Sequence, residues 1–377
     1  MIQKEFKGLK ISPLGLGCMR FPVLEGDHTK IDVQAAAQII DCSMEQGINY
    51  YDTAWGYNGG NSEIVTGKIL STYPRESYYL ASKFPGYDRK NLERKEEIFE
   101  RQLEKCSVHY FDFYLCHNVT ERNIDDYLNP DYGLYEYLME QKKKGRIRHL
   151  GFSAHGNCDT MRRFLDVYGE GMEFCQIQLN YIDWTFQNAK EKLDLLKEWN
   201  LPVWVMEPAR GGQLANLSES HRSRLNSFRP GESDVSWAFR FLRAIPEVTV
   251  TLSGMSSCKQ VEENVHTFSE EEPLTQQERE TLFLIADEML EKKTVPCTAC
   301  RYCTDSCPRK LDIPKLLALY NDHTFTQSGI YAPIRDFLFP EGSDPRNCIG
   351  CHRCEKACPQ QIPITSYMAE LAKSVEV

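Results

Sequence analysis

No stretch of this 377-residue chain offers the roughly 18 consecutive apolar residues that a membrane-spanning helix requires, so no membrane segment is expected. Basic clusters are equally scarce. Lys and Arg number 44 against 54 Asp and Glu, a formal charge of −10 with no basic arm or stripe to offset it. That argues against nucleic acid as a partner, because neutralising phosphates takes clustered cations. The opening Met1-Ile2-Gln3-Lys4-Glu5 lacks the apolar stretch and small-residue cleavage site of a secretory signal, and a cytoplasmic protein is expected. Low-complexity segments are missing, and an apolar content of 41% excludes a disordered or collagen-like chain. Absent too is a third glycine in Gly15-Leu16-Gly17-Cys18-Met19-Arg20, which speaks against a dinucleotide fingerprint in an open, doubly wound sheet.

What is present, through about residue 290, is a regular alternation of short β-rich runs and longer helical patterns. The runs lie at 14–17, 48–52, 78–82, 112–116, 149–152, 174–178, 203–206 and 248–252, with helical patterns such as 32–46, 90–107, 133–144, 189–200 and 234–243 between them. Eight parallel strands with outer helices predict a (β/α)8 TIM barrel. Residues 6–11 alternate around Gly8 and predict a small hairpin under it. Two more helices are expected at 259–267 and 275–293, the second opened by a capping box from Thr275 to Glu278. The acidic surplus lies entirely before residue 291. The composition shift there divides the chain into a barrel, 1–293, and a tail, 294–377.

The tail holds eight of the 15 cysteines. Cys297-x-x-Cys300-x-x-Cys303-x-x-x-Cys307-Pro308 is followed by Cys348-x-x-Cys351-x-x-Cys354-x-x-x-Cys358-Pro359, one spacing used twice. Three thiolates at two-residue gaps wrap one face of a cuboidal iron-sulfur cluster, and the fourth, beside a proline, goes to the other cluster. The expected ligand sets are therefore crossed: Cys297, Cys300, Cys303 and Cys358 for one cluster, Cys348, Cys351, Cys354 and Cys307 for the second. Paired zinc sites are the alternative. The segment resembles a bacterial two-cluster ferredoxin, a small α+β or irregular fold, with a longer stretch between its motifs that carries a helical pattern at 314–321.

In a TIM barrel chemistry sits at the C-terminal ends of the strands. Asp52, Lys83 and His117 end or follow three successive candidate strands, and Tyr57 stands on the loop after Asp52. A phenol beside an ammonium that a carboxylate holds in place makes a proton donor, and the ammonium is expected to lower the tyrosine pKa. A histidine beside them can orient a carbonyl oxygen.

In order, spacing and strand context, Asp52, Tyr57, Lys83 and His117 resemble the tetrad of the aldo-keto reductase family, and the likeness extends over residues 6–288. Further markers are Gly47-Ile-Asn-Tyr-Tyr-Asp52-Thr-Ala, Gly145-Arg-Ile-Arg-His-Leu-Gly-Phe-Ser153 and Ser253-Gly-Met-Ser-Ser-Cys-Lys-Gln260-Val-Glu-Glu263-Asn264. The resemblance implies Tyr57 as general acid, Asp52 and Lys83 as its tuners, His117 as the residue orienting the carbonyl, and NADP or NAD as cofactor. It implies a nicotinamide held by Ser153 and Gln176 with Asn180 nearby. The pyrophosphate would follow Glu207, Pro208, Arg210, Gly211 and Gly212, and the adenosine end Gly254, Ser256, Ser257, Lys259, Gln260, Glu263 and Asn264. Glycines there would let backbone amides approach phosphate. Three positions depart from the family pattern: Met206 stands where an aromatic is common, Gln260 where an arginine is, and Ala154 where an amide is. The combination of barrel and tail is similar to a group of iron-sulfur oxidoreductases within that family.

The expected function is reduction of an aldehyde or ketone, or the reverse alcohol oxidation, with clusters that exchange electrons or hold the tail together. Hydride carries two electrons and each cluster accepts one, so coupling them calls for a flavin or radical intermediary. No flavin fingerprint is present, although a barrel phosphate site can hold a flavin without one. Two other readings are an electron carrier working with a ferredoxin or flavoprotein, and a redox-sensing regulatory subunit. Trp55, Trp184 and Phe186 are candidates for an apolar substrate pocket.

Overall fold

The computed structural model describes residues 1–121, 123–270, 272–291, 295–326 and 344–375. The chain forms two compact units, Met1–Ala209 with Ser218–Arg279 and Arg210–Leu217 with Glu280–Val377. The boundary expected between residues 293 and 294 lies outside the described residues.

In the first unit β1 (Lys4–Phe6) and β2 (Leu9–Ile11) pair antiparallel as the expected hairpin. Then β3 (Leu14–Gly17), β4 (Tyr50–Asp52), β5 (Tyr79–Phe84), β6 (Phe111–Val119), β7 (Ile147–Ala154), β8 (Cys175–Gln178), β9 (Val203–Met206) and β10 (Val248–Ser253) close into a parallel barrel, β10 pairing with β3. These strands are buried along nearly their whole length, as a barrel sheathed by helices requires. Tyr50, Phe113, Phe174, Trp204 and Val250 fill the interior. Phe6 of the hairpin plugs it from the side of the strand N-termini, its ring edge-on to Trp204 at 5.1 Å. Strands β5 and β6 run further than expected and carry Lys83 and His117 within them. The helix expected over 90–107 is broken at Glu93 and Arg94 into Arg89–Leu92 and Lys95–Lys105.

Glu173, entering β8, gathers Lys142 at 2.6 Å, His149 at 2.9 Å and Lys7 at 3.1 Å. Burial opposes its charge, but these partners outweigh it and bring the carboxyl pKa down to about 2 from the ordinary 4.5. A depressed carboxylate pKa stabilises the fold above about pH 4.5, and that contribution fades as pH falls toward 2. Glu173→Gln should therefore lower the urea midpoint at pH 7, and the gap from wild type should narrow as the pH is taken to 3.

The second unit contains the helices Tyr302–Asp305, Ile313–Thr326, Arg353–Ala357 and Ile364–Val375 joined by irregular turns, and no strand among the described residues. Leu311, Leu316, Leu317, Ile362, Met368 and Leu371 pack with Cys303, Cys354 and Cys358 into its core. The motifs repeat in backbone as well as in sequence. Ala299 (φ 54°), Arg301 (67°) and Lys310 (52°) are left-handed, as are Gly350 (64°), His352 (57°) and Gln361 (53°) at the corresponding places.

Candidate active site and cluster sites

Lys83 anchors the polar centre of the barrel. Its Nζ donates to Asp52 Oδ1 at 2.5 Å, to the Thr53 carbonyl at 2.9 Å and to Tyr57 Oη at 3.3 Å. Tyr57 reaches it from a tight turn, Tyr57–Gly60, in which Asn58 and Gly59 are left-handed. His117 lies edge-on to Tyr57 with ring centroids 6.0 Å apart, so all four expected residues converge.

Burial opposes both charges of the Asp52–Lys83 pair. At Asp52 it outweighs the attraction of Lys83 and moves the carboxyl above its usual range. At Lys83 the attraction of Asp52 and Tyr57 wins and the net movement is also upward, which keeps the proton on the lysine. The expected lowering of the Tyr57 pKa is corrected by the structure: burial outweighs the pull of Lys83, the pKa rises, and the phenol holds its proton. Burial, then the charge of Lys83, pushes His117 well down, so the imidazole is neutral.

Beneath this centre lies a buried network that sequence reasoning missed. Glu63 Oε1 accepts from Ser82 Oγ and Gln102 Nε2, both at 2.6 Å, while Lys105 Nζ meets Glu63 Oε2 at 2.7 Å. Gln102 Nε2 also donates to the Lys83 carbonyl at 3.0 Å, fixing β5 where the lysine leaves it. Tyr87 lies edge-on to His117 at 5.4 Å. Only three-dimensional proximity links these residues, and no local motif marks them.

The expected cofactor residues behave differently from one another. Ser153 Oγ accepts from the Asn118 amide at 2.8 Å. Gln176 is buried, its Nε2 donates to Met206 Sδ at 3.8 Å, and its Oε1 has no hydrogen-bond partner among the described residues. An orphaned buried acceptor fits a carboxamide N–H. Asn180 is already committed: Nδ2 donates to Asp183 Oδ2 and the Glu207 carbonyl, and Oδ1 accepts from the Ile182 and Asp183 amides. These bonds fix the loop that follows β8. Glu207 Oε1 is 3.3 Å from Nη2 of Arg20, the last residue of the Gly15–Arg20 segment. At the other end, Gln260 Oε1 takes the Ser256 amide at 2.8 Å, Lys259 pairs with Glu263 at 3.6 Å, and Asn264 Nδ2 donates to Ser253 Oγ at 3.3 Å. Gly254 stands against the Arg20 side chain. Pro208 remains with the first unit, whereas Arg210, Gly211 and Gly212 belong to the second. A Cβ on Gly211 would lie 2.7 Å from the Thr298 carbonyl oxygen. The close approach at Gly211 is to protein backbone. Trp55 lies under Lys105 at 4.6 Å, Trp184 meets Phe241 edge-on at 5.5 Å, and Phe186 is exposed.

In the second unit the thiols sort into two cavities. One is lined by Cys297, Cys300, Cys303 and Cys358, the other by Cys307, Cys348, Cys351 and Cys354. That is the crossed grouping. A cubane gives each thiolate a different iron, so its ligands surround a space. Alternating left-handed residues turn backbone amides inward, and the Ala299 N–H already lies 3.4 Å from Cys297 Sγ. The donor set and its surroundings fit iron-sulfur clusters. Burial pushes the Cys354 thiol up to about 11, so cluster binding there must displace a proton.

Residues 13–283 match the aldo/keto reductase family and residues 296–363 the 4Fe-4S dicluster domain. The chain belongs to the aldo/keto reductase family. Among curated relatives, the NADH-specific methylglyoxal reductase of Escherichia coli is 29% identical over 226 residues, 55% of this chain and 66% of that protein. The chain thus covers less than two thirds of that relative. L-galactose dehydrogenase of Arabidopsis thaliana is 27% identical over 292 residues, 71% of this chain and 87% of that protein. Among solved structures, the holo form of aldo-keto reductase AKR11C1 from Bacillus halodurans superposes with a TM-score of 0.61 at 26% identity, covering 76% of this chain and 96% of its own. The fold is accordingly the (β/α)8 barrel of the aldo-keto reductases, followed by a 4Fe-4S dicluster domain. Among the described residues no helix is long and apolar enough to cross a membrane.

Proposed function

We propose that the barrel reduces an aldehyde or ketone, or oxidises the corresponding alcohol, with NADPH or NADH, and that the tail carries two [4Fe-4S] clusters. The observation that carries this reading is Lys83 Nζ bonded at once to Asp52 Oδ1 and Tyr57 Oη. Asp52 keeps Lys83 charged and in place. Tyr57, protonated at neutral pH, gives its proton to the carbonyl oxygen, and the ammonium at 3.3 Å stabilises the phenolate left behind. His117, neutral, orients that oxygen by donating an N–H. When bound, the nicotinamide supplies the hydride. Ser153 and the orphaned Gln176 Oε1 face its carboxamide in this reading, with Ser256, Lys259 and Gln260 toward the adenosine end.

The exposed Cys351 supports a second reading, in which electrons enter or leave through the Cys307, Cys348, Cys351 and Cys354 site to a ferredoxin or flavoprotein partner. Both are tested on anaerobically purified protein assayed for iron and sulfide, then given NADPH or NADH with and without a carbonyl. Methylglyoxal and an aldose come first, in keeping with the names of the two relatives. Carbonyl-dependent loss of reduced nicotinamide is the expected result. No turnover with any carbonyl, together with bleaching of the clusters by nicotinamide alone, would replace the reductase with the electron carrier.

A further inference from the structure

Two cysteines outside the tail meet on the barrel's helical shell. Cys42 lies on the helix Val33–Glu45, and Cys258 is the first residue of the helix Cys258–Ser269. Cys42 Sγ is 3.8 Å from the Cys258 carbonyl oxygen, and Cys258 Sγ is 3.3 Å from the carbonyl of Gln38, one turn before Cys42. Each sulfur therefore leans on the other's helix, and the two thiols are within hydrogen-bonding reach of each other. Both are partly exposed, whereas Cys18, Cys106, Cys116 and Cys175 are buried.

The place matters as much as the pair. Cys258 follows Ser257, whose Oγ accepts from the Gln260 amide, and Gln260 Oε1 in turn holds the Ser256 amide and hydroxyl at 2.8 and 3.1 Å. The loop assigned above to the adenosine end of the cofactor is thus continuous with the turn that bears Cys258.

We propose that Cys42 and Cys258 form a reversible disulfide, with a low-molecular-weight disulfide such as oxidised glutathione as oxidant, and that this bond loosens the grip on the nicotinamide cofactor. The second half rests on the cofactor reading above; the first half does not. Burial first, and then the neighbouring Cys258, push the Cys42 thiol up to about 12, so Cys42 starts the sequence protonated. Cys258 displaces one thiolate from the small disulfide and becomes a mixed disulfide. Cys42 Sγ then attacks Cys258 Sγ, the S–S bond between them forms, and the second small thiolate leaves. Two protein thiols are oxidised by two electrons, the small disulfide is reduced to two thiols, and these take up the two cysteine protons. Closing the sulfurs to roughly 2.05 Å draws the first turn of Cys258–Ser269 toward Val33–Glu45 and away from the geometry in which Gln260 holds Ser256.

The experiment uses the cluster-loaded protein under anaerobic conditions, so that the tail thiols are ligated, equilibrated with glutathione mixtures from fully reduced to fully oxidised. After acid quenching, alkylation and digestion, mass spectrometry measures the Cys42–Cys258 linked peptide, and nicotinamide fluorescence measures cofactor affinity on the same samples. The linked peptide should appear in wild type and be absent from Cys42→Ser and Cys258→Ser. Oxidised wild type should bind NADPH or NADH at least about fivefold more weakly than reduced, the lower end of ordinary coupling between sites, with Cys42→Ser unmoved. If both cysteines stay fully alkylated in every mixture, the disulfide is wrong. If the bond forms and affinity does not change, its link to the cofactor is wrong. If neither form binds a nicotinamide, the cofactor reading itself fails while the peptide still decides the disulfide.

Discussion

Replacing Tyr57 with phenylalanine should lower kcat for carbonyl reduction by about 10²- to 10⁴-fold, the span general acid catalysis ordinarily supplies. Nicotinamide affinity should hardly change, because the substitution removes one hydroxyl whose partner is Lys83. Tyr57 is a cleaner test than Lys83: removing the lysine strands Asp52 as a buried unpaired carboxylate, and loss of activity would then be mixed with loss of fold. The raised phenol pKa adds a pH signature. Reduction draws on the protonated phenol, so its rate should hold level through neutral pH and fall only on the alkaline side. Stopped-flow single turnovers on wild type and Tyr57→Phe would measure both effects. An undiminished rate in the variant would remove Tyr57 from the chemistry.

The second large effect concerns which cysteines share a cluster. With crossed sets, Cys307→Ser combined with Cys351→Ser strikes one cavity twice and should leave one intact cluster, about four irons of an original eight. Cys358→Ser combined with Cys351→Ser strikes both cavities and should leave none. A sequential arrangement, each motif keeping its own four thiols, predicts the reverse. Iron and sulfide analysis of the two double variants therefore separates the arrangements without any assay of activity.

Much of this was legible in the sequence, for physical reasons. A strand buried on both faces is a short apolar run, and the expected 203–206 coincides with β9 because Pro202 and the Glu207-Pro208 step bound it. The helix Asp234–Arg243 likewise announces itself by an amphipathic pattern opening after Ser233. The helix Ser62–Leu70 is harder to see: Ser62, Glu63 and Thr66 are buried together with Val65, Ile69 and Leu70, so polar and apolar residues do not separate onto two faces, and Gly67 interrupts it. The convergence of Asp52, Tyr57, Lys83 and His117 was readable because each sits at or near a strand end, and the gathering of the eight tail thiols because one spacing is used twice. The sign of the Tyr57 shift was not readable, since a balance of burial against one ammonium depends on packing. The same holds for Asn180 and Gly211, whose partners, Asp183 and Glu207 in one case and Thr298 in the other, are set by how loops close.

The crossed grouping of the tail thiols also bears on how the protein is made. Cys297, Cys300, Cys303 and Cys307 are all synthesised before Cys348, four thiols in a row and enough sulfur to seize a cluster in the sequential set. The first cavity is completed only by Cys358, near the end of the last motif, and the second only when Cys348, Cys351 and Cys354 join Cys307. Iron delivered during translation would find a decoy. With crossed sets, correct loading would be a late maturation step, and the order in which chain and metal arrive would decide which thiols a cluster takes.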